Sequence, residues 1–328
     1  MLTLGIETSC DETAVALVEN SRVLSGGISS SVHLHAQYGG VIPEIASRYH
    51  TEYIYPVMKE ALAGAGKDIR DVALVSVTDR PGLPGCLLVG KAFAEAISFA
   101  GDIPIVRVDH VMAHVISCFI DENERVPDIS DKFPFLGVVV SGGHTNMYLF
   151  RSLSDAELLG RTKDDAIGEA FDKVSKILDM GYPGGPIVEK AAERYAEGRS
   201  TINEIKFPRA LLKDGKDLDF SFSGIKTAVL YYWREAVSSQ EEKERVAYSF
   251  QEAVIDVVEK KILRAMKACG VKRLAVGGGV INNKVLRTRI SSACSRKGYE
   301  LYLPEPGFCT DNAAMVAVLG ELLFSARK

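Results

Sequence analysis

Two glycine-rich turns constrain this chain more than any other feature. Gly5-Ile6-Glu7-Thr8-Ser9-Cys10-Asp11-Glu12-Thr13 and Val138-Val139-Val140-Ser141-Gly142-Gly143-His144-Thr145 each interrupt an apolar strand with small, hydroxyl-bearing residues and then resume a strand. Only small residues let backbone N–H groups close around phosphate oxygens with no side chain in the way. Two such turns on one chain imply a duplicated nucleotide-binding unit with the nucleotide between the halves.

The pattern around the turns repeats. Apolar, β-branched runs at 2–7, 13–19 and 22–29 predict three strands. Helical periodicity follows at 43–65, opened by Pro43-Glu44, then a strand at 72–78, a helix at 85–100, a strand at 103–108 and a helix at 110–119. The second half predicts strands at 135–140, 146–151 and 156–161. A long helical insertion that includes 240–269 comes next, then a strand at 273–276, a helix at 283–297, a strand at 299–303 and a closing helix at 312–326. The shared order, β-β-β-α-β-α-β-α, is a duplication of architecture rather than of sequence. It predicts an α/β protein whose mixed sheets carry helices on their faces.

Composition narrows the class. The 328 residues are 47% hydrophobic and 25% charged, an ordinary globular balance with room for two domains. No apolar run is long enough to span a bilayer, and the first residues read as a strand rather than a basic leader, so a non-exported protein is expected. The six cysteines include no Cys-x-x-Cys and predict reduced thiols in the cytoplasm. A net charge of −4 means that nucleic acid, if bound, must meet a local basic patch or a basic partner. Arg287, Arg289, Arg296 and Lys297 are one candidate patch, and Lys206, Arg209 and Lys213 another. Solvated surface charge is the plainer reading of each residue.

In the first turn, Thr8, Ser9, Asp11 and Glu12 combine hydroxyls with acids that can bind a cation or orient a nucleophile. A simple hairpin in which Asp11 caps its own backbone is the plain alternative. The second turn, Ser141-Gly142-Gly143, suits phosphate better, since adjacent glycines after a buried strand mark close backbone approach. Gly277-Gly278-Gly279, followed by Asn282 and Asn283, offers a flat floor and amides for a base or ribose. Gly181-Tyr182-Pro183-Gly184-Gly185-Pro186 is a further tight turn that could close on a ribose. His110 and His114 stand four apart, on one helix face, where they can share a metal or be ordinary helix residues. Val111 occupies the position where a His-Glu-x-x-His protease needs its glutamate, which removes that chemistry. Asp311 can be a third ligand or the N-cap of the closing helix.

With these motifs in hand, the chain closely resembles the tRNA threonylcarbamoyladenosine transferase family, once labelled glycoproteases. The resemblance also includes Phe171-Asp172-Lys173, Phe220-Ser221-Phe222-Ser223-Gly224-Ile225-Lys226 and Thr310-Asp311-Asn312, and it covers essentially the whole chain. It implies a duplicated actin-like (RNase H-like) ATPase fold, with one lobe from 1–109 plus 311–328 and the other from 110–310. It implies that His110, His114 and Asp311 hold a divalent metal, Fe²⁺ or Zn²⁺. By the same route Val139, Val140, Ser141, Gly142, Gly143, Asp172, Gly185 and Asn283 would bind ATP or threonylcarbamoyl-AMP, with Mg²⁺ a candidate companion, and Ser9 and Asp11 would act near the reacting group. The implied reaction moves threonylcarbamoyl from its adenylate to N6 of adenosine 37 in tRNAs reading codons that begin with A. The implied partners are tRNA and, in bacteria, an inactive paralogue and a small P-loop ATPase.

Two features depart from the family pattern. Arg80-Pro81-Gly82-Leu83 replaces a common Gly-Pro-Gly-Leu, in a loop expected to be a recognition surface. Apolar residues replace the acidic residue that often lies between the metal histidines. An ATP-dependent small-molecule kinase of the same fold and a non-catalytic partner subunit are the rival readings; neither needs the His-His-Asp set.

Overall fold

Strand β1 (Leu2–Glu7) is buried along its whole length, and the first sheet grows from it on both sides. β2 (Glu12–Glu19) returns antiparallel to it and β3 (Arg22–Ser30) antiparallel to β2. After α1 (Val32–His35) and α2 (Pro43–Ala65), β4 (Leu74–Arg80) joins β1 in parallel. α3 (Pro84–Gly101) leads to β5 (Ile105–Asp109), parallel to β4, and α4 (His110–Ile116) starts directly from it. The order is β3-β2-β1-β4-β5. The two-residue period of a strand sorts its side chains. Leu2, Leu4 and Ile6 join Val15, Leu17, Val75 and Val77 in a core closed by α2 and α3. Thr3, Gly5 and Glu7 face the opposite side.

The second sheet repeats this plan. β6 (Phe135–Val140) takes the place of β1, flanked by antiparallel β7 (Thr145–Phe150) and β8 (Ala156–Arg161). Among the described residues four helices follow: α5 (Ile167–Ile177), α6 (Gly184–Ala196), α7 (Ser223–Glu235) and α8 (Gln240–Cys269). β9 (Arg273–Gly277) then pairs parallel with β6, and α9 (Lys284–Lys297) leads to β10 (Glu300–Tyr302), parallel to β9. The order β10-β9-β6-β7-β8 is that of the first sheet with β6 for β1. α10 (Ala313–Ser325) returns to the first sheet and covers the Thr3–Gly5–Glu7 face. There Ser76 Oγ donates to Val316 O at 2.7 Å and Thr3 Oγ1 to Glu321 Oε2 at 3.2 Å.

The computed structural model describes residues 1–210, 212 and 217–326. The chain divides into one unit of Met1–Asp131 with Leu303–Lys328 and another of Lys132–Tyr302. Residues 110–131 and 303–310, expected in the second lobe, therefore fall in the first unit. The cause is local: Asp109 ends β5 and caps α4 in the same step, and α4 lies against α10. The strand expected at 72–78 begins at Leu74, because a 3₁₀ turn at Ile69–Asp71 occupies the approach. The helix expected at 110–119 changes to a 3₁₀ turn at Ser117–Phe119.

Candidate functional site

In the first unit, α4 has only seven residues, too few to be stable alone. Its start is held by the Asp109 carboxylate, which accepts from Val111 N at 2.9 Å and Met112 N at 3.1 Å, a cap worth about 1 kcal/mol. This presents His110 and His114 one turn apart, with ring centroids 4.6 Å apart. Asn312, not Asp311, caps α10, its Oδ1 accepting from Met315 N at 3.0 Å. The Asp311 carboxylate instead meets the imidazoles, with Oδ1 3.0 Å from His114 Nε2 and 3.6 Å from His110 Nε2. One donor atom from each of the three residues lies within 4.8 Å of the others.

Glu7 lies behind His110. It has no exposed surface; its Oε2 accepts from Thr78 Oγ1 at 2.6 Å and lies 3.0 Å from His110 Nδ1. Ser9 Oγ is 3.2 Å from the same nitrogen. Burial alone would lower the His110 pKa, but the Glu7 and Asp311 carboxylates outweigh it and push it up to about 9. Burial would raise that of Glu7, and the charge and hydrogen bond of His110 hold it below the ordinary carboxylate range. Glu12 goes the other way: burial, with Asp311 and Asp11 beside it, pushes it well above that range. His114 Nδ1 is buried with no hydrogen-bond partner among the described residues.

The turn carrying Ser9 and Asp11 is held by its backbone rather than by a hairpin cap. Asp11 O accepts from Ser31 N at 2.9 Å and Ser31 Oγ at 3.0 Å. Cys10 O accepts from His50 Nε2 at 3.0 Å. Leu83 N donates to Ser9 O at 2.8 Å, and Arg80 Nε lies 3.9 Å from Asp109 Oδ2. The Arg80-Pro81-Gly82-Leu83 loop thus braces the turn and the α4 cap, whatever else it recognises.

In the second unit, Val139 and Val140 have no exposed surface, so in this conformation neither presents an atom to a ligand. Ser141 N donates to His144 O at 2.8 Å, closing the turn, and Gly168 N of α5 donates to Ser141 O at 3.1 Å. The Gly142 and Gly143 amides have no hydrogen-bond partner among the described residues, and nothing lies within 4 Å of a Cβ built on either. This is an open pair of donors in a β-hairpin turn beside the start of α5, suited to an anion. Gly278, at φ +94°, lies against Val140; a Cβ there would be 2.5 Å from Val140 O. The strand turns at 140–143 and 278–283 are therefore neighbours. Asp172 and Asn283 are both engaged. Asp172 Oδ1 accepts from Gly184 N at 2.7 Å, which places it beside Gly185 at the start of α6. Asn283 Oδ1 caps α9 through Leu286 N at 3.0 Å, and its Nδ2 donates to Gln251 Oε1 at 2.7 Å.

Four of the candidate basic residues pair with acids, while Arg287 Nε donates to Ile281 O. Arg289 pairs with Glu252, Asp256 and Glu259, Arg296 with Glu259, Arg209 with Glu204 and Asp256, and Lys206 with Glu204. Lys213 lies outside the described residues. The sequence reading missed Glu7, although an ionisable group ending a wholly buried strand was a visible signal.

Residues 22–318 match the family described as TsaD: tRNA N6-adenosine threonylcarbamoyltransferase. A protein of that name from Syntrophus aciditrophicus is 44% identical over 331 residues, covering 100% of this chain and 94% of the relative. One from Trichlorobacter lovleyi is 46% identical, covering 99% and 92%. Among solved structures, component A of the Acidaminococcus fermentans (R)-2-hydroxyglutaryl-CoA dehydratase aligns with a TM-score of 0.56 at 13% identity, covering 100% of each chain. T. kodakarensis HypF aligns with a TM-score of 0.62 at 15% identity, over 99% of this chain and 48% of HypF. At such identities the structural likeness speaks for the fold alone, and that fold is the duplicated actin-like one.

Proposed function

The chain belongs to the tRNA N6-adenosine threonylcarbamoyltransferase family, a family of transferases, and on that premise we propose that it makes threonylcarbamoyladenosine at position 37 of tRNAs reading codons that begin with A. The acyl donor in this reading is threonylcarbamoyl-AMP. The observation that carries it is the meeting of His110, His114 and Asp311, from two helix starts far apart in the chain, at one point of the first unit. Two imidazole nitrogens and a carboxylate oxygen suit Fe²⁺ or Zn²⁺, and His110 is already oriented by a carboxylate on its other nitrogen. When bound, such a cation supplies Lewis-acid polarisation of the donor's carbonyl.

The chain's own residues supply the rest. The Gly142 and Gly143 amides are free to hold oxygens of the donor phosphate and to stabilise it as it leaves. The N6 lone pair of adenosine forms a bond to the carbamoyl carbon, the anhydride C–O bond breaks, AMP departs with its electrons, and N6 gives its proton to Asp11 or to solvent. Asp11, buried and held by its backbone, would orient or deprotonate that amine, and Ser9 would order the turn beside His110. The amine is weakly basic, so orientation contributes more than proton removal. Among the described residues no helix is long and apolar enough to cross a membrane, and we place the reaction with tRNA in the cytoplasm.

The test is nucleoside mass spectrometry of tRNA incubated with this chain, a donor-forming enzyme and the expected partners, an inactive paralogue and a small P-loop ATPase. Threonylcarbamoyladenosine at position 37 is the expected product; unmodified tRNA with metal, saturating donor and both partners present would overturn the reading. Asp11→Ala should keep donor binding and lose single-turnover transfer; normal transfer by that variant removes Asp11 from the chemistry.

A further inference from the structure

We infer that Glu7 is a positioning residue that selects which nitrogen of His110 meets the cation; this rests on the reading that His110, His114 and Asp311 hold one. Glu7 ends β1 on the face that alternation turns toward α4 and α10, and it has no exposed surface. Burying a carboxylate costs several kcal/mol unless its oxygens are satisfied. Here both are: Oε1 accepts from Ser9 N at 2.5 Å, and Oε2 accepts from Thr78 Oγ1 at 2.6 Å and from His110 Nδ1 at 3.0 Å.

The consequence is a fixed choice. A carboxylate can only accept, so the hydrogen of the neutral ring resides on Nδ1. Nε2 then offers its lone pair on the side where Asp311 Oδ1 and His114 Nε2 converge. Ser9 Oγ, 3.2 Å from Nδ1, could by itself enforce the opposite tautomer by donating its hydroxyl hydrogen. Glu7 decides between the two. It also ties the first glycine turn, through Ser9 N, and β4, through Thr78, to the orientation of a metal ligand on α4.

Glu7→Gln is the informative change, because every group facing the carboxylate is a donor. With its NH₂ toward Ser9, the amide opposes a fixed N–H. With its NH₂ toward His110 and Thr78, the threonine hydroxyl can rotate to accept, and Nδ1 must accept as well. The second arrangement relieves the clash and protonates Nε2, the wrong tautomer for a ligand.

The experiment is a Zn²⁺ titration of the wild-type chain, Glu7→Gln and His114→Ala, with imidazole ¹⁵N spectra of the Zn²⁺-loaded wild type. The expected result is one Zn²⁺ per chain, metallation of His110 at Nε2, and binding weakened about 10- to 100-fold in folded Glu7→Gln. Metallation at Nδ1, or folded Glu7→Gln within twofold of wild type, would overturn the inference. If Glu7→Gln does not fold, the wild-type spectra decide. A wild type that takes up no Zn²⁺, or takes it up unchanged in His114→Ala, sinks the cation reading itself. Stoichiometric wild-type binding with an indifferent Glu7→Gln sinks only the role of Glu7. A purely structural Glu7 would lower stability without moving either metal readout.

Discussion

Gly168→Ala probes the second glycine turn with one methyl group. A Cβ on Gly168 would lie 2.8 Å from both Gly142 Cα and Ser141 O. Ordinary contact begins at 3.4 Å, so the turn and the start of α5 must separate by about 0.6 Å. The obstructing atoms are backbone and cannot rotate away. Overpacking of this kind costs about 1–3 kcal/mol, or roughly 2–12 °C in the unfolding of a domain this size. The displaced atoms include the Gly142 amide, one of the two open donors. A hydrogen bond to a charged group is worth about 1.5–3 kcal/mol, so losing one should weaken adenine-nucleotide binding about 10- to 100-fold. Calorimetric titration with ATP, beside thermal unfolding, reads both effects. Gly142→Ala is the control: its Cβ meets nothing within 4 Å, so stability should hold and binding alone should fall. A destabilised Gly168→Ala that binds nucleotide as wild type does would refute the assignment of this turn to phosphate.

Two further outcomes follow from the buried polar groups. Asn283→Ala removes the α9 cap and strands the buried Gln251 carbonyl oxygen, a combined loss of about 2–4 kcal/mol in denaturant unfolding whether or not nucleotide is present; a change confined to nucleotide binding would contradict it. Burial favours the neutral form of His50, whose Nε2 donates to Cys10 O and whose Nδ1 lies 2.7 Å from Thr13 Oγ1. Burial holds its pKa below the ordinary 6.5, with the bond to Cys10 O and the Glu7 and Asp11 carboxylates pulling the other way. Between the depressed folded value and about 6.5 only the unfolded chain takes the proton, so the contribution of this ring is complete above that range and lost as pH falls through it. Urea unfolding of His50→Gln should therefore start from lower stability and decline less steeply on acidification; parallel declines would rule this out.

The duplicated architecture was legible because strand alternation and turn glycines are local signals. β1, β6 and α8 fall at the predicted residues. The unit boundary was not legible, because Asp109 lets one element pass into the next without a linker, and only packing against α10 assigns α4 to its unit. His110 and His114 announced themselves by spacing, while Asp311 and its neighbour Asn312 competed for one capping role that only the folded geometry awards to Asn312. Asp172 and Asn283 illustrate the opposite limit. Their types suit a ribose, and the fold adds hydrogen bonds across 12 and 32 residues that no local pattern announces.

The closing helix also sets a timetable. His110 and His114 leave the ribosome 197 residues or more ahead of Asp311, and the whole second unit is synthesised in between. Until α10 lies down on the first sheet, the histidine pair has no carboxylate to share and one face of that sheet is bare. On the reading that this trio holds the cation, uptake is a late event in the birth of this protein, and a nascent chain stalled anywhere in the second unit should emerge metal-free.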